Sequence, residues 1–374
     1  FIPIFLEKGI YTIPEFVEKR FNKTLKTILA VFWICLYIFV NLTSVLYLGG
    51  LALETILGIP MMYSILGLAA FALLYSVYGG LSAVVWTDVI QVAVLVFGGF
   101  ATSYVALNWI SGGEGAFAGL GTLLDKVPDH FEMILAVDNA HYKDLPGIAV
   151  LIGGLWVTNL YYWSFNQYVI QRTFAAKSVK DAQTGLVFAG FLKLIIPLIV
   201  VIPGIAAFYI TQYDPALLQS LQDQFGPMVL NNLPSEQTPD KAYPWVAQLL
   251  PVGIKGVVFA ALAAAIVSSL ASMLNSTATI FTMDIYKEYV NKKASDLVLV
   301  TVGRITAIIA LVIAIFIAPL LSTLGQAFQF IQEYTGVVSP GILAVFLCGL
   351  FYKKANSTGA VVGVLSSIVI ALLL

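Results

Sequence analysis

The stretch FAGFLKLIIPLIVVIPGIAAF, residues 188–208, carries one charge, Lys193, in an otherwise apolar run. About 20 such residues in a helix cross the ~30 Å hydrocarbon core of a bilayer, where every backbone polar group must find its partner inside the helix. The rest of the chain has the same character: 60% of its residues are hydrophobic and 10% charged, and its mean hydropathy is +0.93. A soluble domain has roughly 45–50% apolar and 25% charged residues. This is the composition of an integral membrane protein. The net charge of −1 gives no ground for expecting a nucleic-acid partner.

Windows of about 19 residues place helical spans at 25–56, 61–78, 84–110, 147–170, 184–211, 252–280, 296–319, 325–351 and 357–374. The expected fold is an all-α polytopic membrane protein forming one transmembrane helical domain over residues 1–374. FIPIFL (1–6) reads as the tail of a preceding helix and Leu374 falls inside an apolar run, so the chain is expected to be part of a longer protein. If residues 7–24 face the cytoplasm, alternation places most basic residues inside, Lys19, Arg20, Lys23, Arg172, Lys177, Lys180, Lys292, Lys293, Lys353 and Lys354 among them. Lys126, Lys143, Lys241 and Lys255 are left outside. That asymmetry follows the positive-inside rule and predicts a multi-pass protein of the cell's inner membrane. The outer loops, 111–146 and 212–251, are rich in Asp, Gly and Pro and leave room for a short helix each. Cys35 and Cys348 lie in spans, His130 and His141 share a loop without a compact ligand set, and the sequons at Asn22, Asn41, Asn275 and Asn356 fall in a span or inside. Neither a disulfide framework, a histidine metal site nor glycosylation is expected.

Polar side chains are concentrated in LWVTNLYYWSFNQYVIQR, residues 155–172. Asn159, Tyr162, Trp163 and Asn166 are spaced i, i+3, i+4, i+7 and would share one helix face beside Gly153 and Gly154, which can loosen the helix. Such a face is either a water-accessible binding surface or an interfacial aromatic belt with Asn residues joining helices. Lys193 lies about nine residues, ~14 Å, past the expected inner end of its span, too deep for easy snorkelling. It needs a polar pocket or an ion pair, with Asp88 or Glu333 as candidates. Pro197 and Pro203 permit kinks in the same helix. In FQFIQEYTG (328–336), Phe328 and Gln332 are one turn apart. Aromatic rings, amides and an ammonium together suit a neutral, hydroxyl-rich solute. In FAALAAAIVSSLASMLNSTATI (259–280), Ala265, Ser268 and Ser269 sit on a small, hydroxyl-bearing face. That face serves either close helix packing or oxygen ligation of a monovalent cation such as Na⁺.

YSVYGGLSAVVWTDVIQ (75–91) and YTIPEFVEKRFN (11–22) resemble signatures of the solute:sodium symporter family. With NQYVIQRTFAAKS (166–178) and KLIIPLIVVIPGI (193–205), the chain resembles the sodium/glucose cotransporter branch, including its bacterial galactose-transporting members, over residues 7–355. The resemblance implies a LeuT-like fold of two inverted five-helix repeats with substrate at the midplane. Residues 7–110 would be the last three helices of the first repeat, 147–351 the second repeat and 357–374 a peripheral helix. The first repeat would be incomplete, its first core helix with the remaining sodium ligands lying outside this sequence.

The resemblance further implies that Asn41, Asn159, Lys193 and Gln332 hydrogen-bond the sugar and that Tyr162 stacks on it as the inner gate. Trp163 would support the pocket and Phe328 would close the outer side. Ala265, Ser268 and Ser269 would hold Na⁺, with Asp88 assisting its release. The implied function is secondary active transport, with inward sodium movement driving uptake of galactose or glucose in a lipid bilayer and no organic cofactor. The rivals are a sodium symporter for another solute such as inositol or an amino acid, and a channel or receptor. Enzyme motifs such as HExxH and GxSxG are missing.

Overall fold

The computed structural model describes residues 1–10, 12–139, 142, 147–174, 176–235, 238–324 and 326–373, with the backbone alone for 78–84. His141 and Lys143 lie outside the described residues. The elements used below are α1 (Ile2–Glu7), α2 (Ile13–Arg20), α3 (Lys23–Leu57), α4 (Met61–Val77), α5 (Val85–Ile110), α6 (Ala116–Lys126), α7 (Gly147–Phe165), α8 (Gln167–Phe174), α9 (Val179–Gln212), α10 (Pro215–Phe225), α11 (Ala242–Gln248), α12 (Val252–Val290), α13 (Asp296–Thr323), α14 (Ala327–Phe351) and α15 (Ser357–Leu373). Among the described residues, α3, α5, α7, α9, α12, α13 and α14 are long and apolar enough to cross a membrane, and α4 and α15 are shorter apolar helices. Each falls on one of the nine expected spans.

Local chemistry sets several boundaries. Asn22 Oδ1 accepts from Leu25 N at 2.8 Å, and Asn356 Oδ1 accepts from Gly359 N at 2.7 Å. Two of the sequon asparagines are therefore helix caps. Gly58, at φ +71°, ends α3 in the left-handed conformation that glycine adopts without steric cost. Ser178 caps α9 through Asp181 N at 3.1 Å, starting that helix at Val179 rather than 184. The helix expected over 252–280 runs on to Val290, and the one expected over 147–170 stops at Phe165. Asn166 there is extended, at φ −92° and ψ 117°.

The core divides into packed clusters. Leu42 and Leu46 of α3, Leu68 of α4, Leu270 and Leu274 of α12 and Ala314 of α13 bury one centre. Gly49 permits this approach: a Cβ there would lie 2.8 Å from Leu68 Cδ1 and 2.9 Å from Ile266 Cγ2. A second centre is aromatic, with Phe165 of α7 stacked on Phe346 of α14 at 4.3 Å and Trp33 beside them. The expected outer loops hold α6, α10 and α11, which cover the ends of α5 and α9 and bury Trp245, whose Nε1 donates to Val229 O at 2.9 Å.

At the opposite end, buried Lys26 pairs with Glu18 at 2.6 Å and Asp284 at 3.3 Å, fastening α2 and α3 to α12. Arg20 donates to the carbonyl of Gly349 in the last turn of α14 and to those of Tyr352 and Ala355 just beyond it. Two spans contrast with this bundle. Only 11% of the apolar window of α7, and 11% of that of α9, is buried, against 61% for α3. The polar face of the site lies on these bare helices.

Candidate functional site

The local backbone places the polar groups of α7 and α9. A π-helical segment, Val150–Gly154, contains Gly153 and Gly154 and loosens α7 one turn before Asn159. Asn159 Nδ2 donates to Leu155 O at 2.8 Å, which turns Oδ1 outward to accept from Trp163 Nε1 at 3.2 Å and Lys193 Nζ at 3.5 Å. The Lys193 ammonium also lies 4.3 Å from the Trp163 ring centroid, a cation–π contact. Lys193 closes the regular first half of α9, and Pro197 opens a π-helical segment that runs to Val201. The missing N–H of Pro197 leaves a carbonyl upstream without its helical donor, and the helix end favours a cation. Counted from Val179, Lys193 is about 21 Å into its helix, deeper than the sequence indicates. The ion pairs considered for it do not form: Asp88 pairs with Arg172, and Glu333 accepts from Gln329 Nε2.

The four-residue face read from the sequence is corrected at Asn166. Because the helix ends before it, its amide turns into the bundle, where Oδ1 accepts from the Tyr37 hydroxyl at 2.6 Å. Gln167 Oε1 likewise accepts from Ile13 N at 2.8 Å. Tyr162 remains beside Trp163, ring centroids 5.2 Å apart, and its hydroxyl is hydrogen-bonded to that of Tyr168 on α8. Tyr161, one position away, is fully buried and accepts from Trp33 Nε1 at 3.0 Å.

Asn41 lies in the π-helical segment Leu36–Leu42 of α3 and is 5% exposed. Its Oδ1 and the hydroxyl of Ser44 have no partner. A buried acceptor left in that state costs about 1–3 kcal/mol unless a ligand or water satisfies it. Phe328 and Gln332 lie near the start of α14, exposed. Among the described residues they share no hydrogen bond with Asn159 or Lys193. Asp240, outside the spans, fixes this end of α14: its Oδ2 accepts from Ala327 N at 2.8 Å. Burial raises the Asp240 carboxyl above its ordinary value, against the opposing pull of that N–H.

The second group centres on Asp88. One carboxylate oxygen accepts from the Ser268 hydroxyl, and the other meets Arg172 Nη2 at 3.1 Å. Arg172 Nη2 also donates to Ser272 Oγ at 2.6 Å, Gln171 Nε2 donates to Ser272 O at 3.2 Å, and Ser272 Oγ donates to Ser268 O at 2.9 Å. The structure thus brings Asp88 and Ser268 together, with Ala265 and Ser269 half-buried on the same helix. Sequence reasoning placed Arg172 only as an inner-side charge and missed its role here. The available signal was the spacing of Gln171 and Arg172 after the polar pair Asn166 and Gln167. His130, by contrast, stands 4.2 Å from the Phe208 ring, and Cys35 and Cys348 are free thiols.

The sodium:solute symporter family model matches residues 1–366. The chain is 71% identical over 374 residues to the sodium/glucose cotransporter of Vibrio parahaemolyticus, covering 100% of this chain and 68% of that protein. It is 31% identical to sodium/glucose cotransporter 1 of Mus musculus, spanning 100% of this chain and 57% of the relative. It is also 31% identical to sodium/myo-inositol cotransporter 2 of Homo sapiens, spanning 100% of this chain and 56% of that relative. A solved structure of a Na⁺-coupled sialic acid symporter, substrate-bound and outward-open, matches with a TM-score of 0.79 at 25% identity, covering 99% of this chain and 72% of that one. The helices therefore adopt the LeuT-like arrangement that the sequence resemblance implies. The chain belongs to the sodium:solute symporter family.

Proposed function

We propose that this chain forms the greater part of a secondary active transporter of the cell's inner membrane, coupling inward Na⁺ movement to uptake of a neutral sugar, galactose or glucose, by alternating access. One observation carries the reading: the Lys193 ammonium deep in α9 faces the Asn159 amide and the Trp163 ring. A charge at such a depth costs at least about 2.5–3.5 kcal/mol, so it marks a polar pocket. Asn159 and Lys193 supply acceptor and donor for sugar hydroxyls, Trp163 and Tyr162 supply ring faces, and the unpartnered Asn41 Oδ1 supplies an acceptor on α3. Gln332 and Phe328 complete the site from α14, with Phe328 at the outer gate.

Sodium is the driving cargo. Ala265, Ser268 and Ser269 offer it oxygen ligands on α12, and Asp88 draws it inward. One Na⁺ moving down 100 mV releases about 2.3 kcal/mol, and a tenfold gradient adds about 1.4 kcal/mol. With tight one-to-one coupling the total supports sugar accumulation of a few hundredfold. Residues 7–110 serve as the last three helices of the first repeat, 147–351 as the second repeat and 357–374 as a peripheral helix.

The name of the human relative favours myo-inositol as a second reading. The full-length protein in liposomes, given galactose, glucose, myo-inositol, sialic acid and a neutral amino acid with and without an inward sodium gradient, separates the readings. Galactose or glucose should accumulate only with sodium. Accumulation of inositol alone would replace the sugar, and sodium flux independent of any solute would replace symport.

A further inference from the structure

A cleft of about 380 Å³ opens between α12 and α13 beside the end of α4, and Ser76, Asn275, Thr282 and Arg304 supply its polar lining. Its free hydrogen-bonding groups are biased towards donors. The Ser76 hydroxyl donates to Asn275 Oδ1 at 2.8 Å, occupying the amide's acceptor and leaving its buried Nδ2 donor without a partner. Thr282 is 5% exposed, and its buried hydroxyl is also without a partner. Gly303 of α13 lies beside that hydroxyl: a Cβ there would sit 3.4 Å from Thr282 Oγ1, in ordinary contact. Arg304 follows directly and, among the described residues, joins no ion pair and donates no hydrogen bond. Among the described residues, no carboxylate lines the cleft.

A guanidinium, an amide N–H₂ and a hydroxyl lining one cleft, with no carboxylate among its described lining residues, favour an anion, and the planar fork of Arg suits phosphate oxygens. Position identifies the source. Arg304 lies eight residues into α13 from Asp296, about 12 Å along its axis, within an apolar span. Side chains tilt towards a helix N-terminus, here the end that carries Lys292 and Lys293 and that is read as cytoplasmic above. An Arg snorkelling in that direction meets the phosphate level of the inner leaflet.

We infer that this cleft binds the phosphate of an anionic phospholipid of the cytoplasmic leaflet, with Arg304, Asn275 and Thr282 as donors. The site uses none of the proposed sugar or sodium ligands and rests on the sidedness read above. Native mass spectrometry of the delipidated full-length protein, titrated separately with dioleoylphosphatidylglycerol, dioleoylphosphatidylcholine and inorganic phosphate, tests it. Phosphatidylglycerol should bind more tightly than phosphatidylcholine, and millimolar inorganic phosphate should not displace it. Arg304→Ala should weaken phosphatidylglycerol binding roughly tenfold, the weight of one charge-assisted hydrogen bond, and leave phosphatidylcholine unchanged. Thr282→Val, which preserves shape, should weaken it several-fold. Equal binding of the two lipids by the wild type, an unchanged preference in both variants, or displacement by inorganic phosphate would overturn the inference.

Discussion

Arg172→Ala should make the transporter hold sodium too tightly. Arg172 contacts one oxygen of Asp88 at 3.1 Å, while Ser268, a proposed sodium ligand, contacts the other. At an effective dielectric of ~20, a charge pair at that distance is worth about 5 kcal/mol. The side chains are 35% and 22% exposed, so screening and the entropy of ordering Arg172 reduce the net value to about 1–2 kcal/mol. Removing the guanidinium leaves a carboxylate beside Ser268 with no competing cation. The sodium concentration giving half-maximal sugar uptake should then fall by roughly 5- to 30-fold. Maximal turnover should fall too, because sodium leaves the freed carboxylate more slowly. Initial rates of sodium-dependent uptake in proteoliposomes containing the full-length protein measure both. In an Asp88→Asn background the Arg172→Ala effect should vanish, since the cycle isolates the pair. A folded Arg172→Ala protein with unchanged or weakened sodium dependence would refute the reasoning and leave the pair as a structural tie between α8 and α5.

Lys193→Ala should raise the half-saturating sugar concentration about tenfold, the loss of one charged hydrogen bond, while detergent-solubilised protein keeps its melting temperature; wild-type sugar affinity would make Lys193 structural. Tyr162→Ala should abolish accumulation, whereas Tyr162→Phe, which loses the hydroxyl bond to Tyr168 but keeps the ring, should retain part of sugar binding; undiminished accumulation by both removes the gate. Ser268→Ala and Ser269→Ala should each shift sodium dependence to higher concentration without loss of folded protein, and Ser268→Ala should also release Asp88 from its hydroxyl donor; two unshifted curves would return both serines to packing. Asp240→Ala should cost about 1 kcal/mol by uncapping α14. Because burial raises the Asp240 carboxyl above its ordinary value, its contribution is full below the unfolded value and declines as pH rises through the folded one. Asp240→Asn keeps the acceptor without the buried charge and should melt at or above the wild-type temperature at neutral pH; melting well below it would show that the charge itself supports the cap.

The spans were legible because burial in lipid imposes a strong, length-specific hydrophobic signal, and each of the nine windows holds an apolar helix. Lys193 and Asn159 were legible for the opposite reason, polar groups in an apolar run being costly enough to need a purpose. Asn166 was misread because periodicity assumes an unbroken helix, and nothing in YWSFNQYV announces a break as Gly or Pro would. Its cause is tertiary: Tyr37 and the Ile13 N–H offer Asn166 and Gln167 partners that a continuous helix could not reach. Arg172 was missed for a related reason. Counted along the chain it belongs with the inner-side charges, and only the turn of α8 after the break brings it to Asp88.

That break gives the proposed coupling a physical carrier. α8 is eight residues long, and its polar contacts run to different helices. Asn166 just before it bonds to Tyr37 of α3, Gln167 to the start of α2, and Tyr168 to Tyr162 on the proposed sugar-binding face of α7. Gln171 and Arg172 at its far end bond to Ser272 of α12, and Arg172 also to Asp88 of α5. A sugar stacked on Tyr162 and a sodium ion at Ser268 would therefore act on opposite ends of one short rigid element. Coupling requires each ligand to prefer one position of that element, since a ligand with equal affinity for both shifts nothing. The extended backbone at Asn166 lets α8 pivot without bending a helix, and the hydroxyl pair of Tyr162 and Tyr168 carries the pivot back to the sugar. On this argument Tyr168→Phe, which alters none of the proposed sodium ligands, should leave sugar-independent sodium binding unchanged but reduce the accumulation ratio. Measured by sodium binding to the solubilised protein alongside uptake, equal loss of both would place Tyr168 in the general stability of the bundle instead.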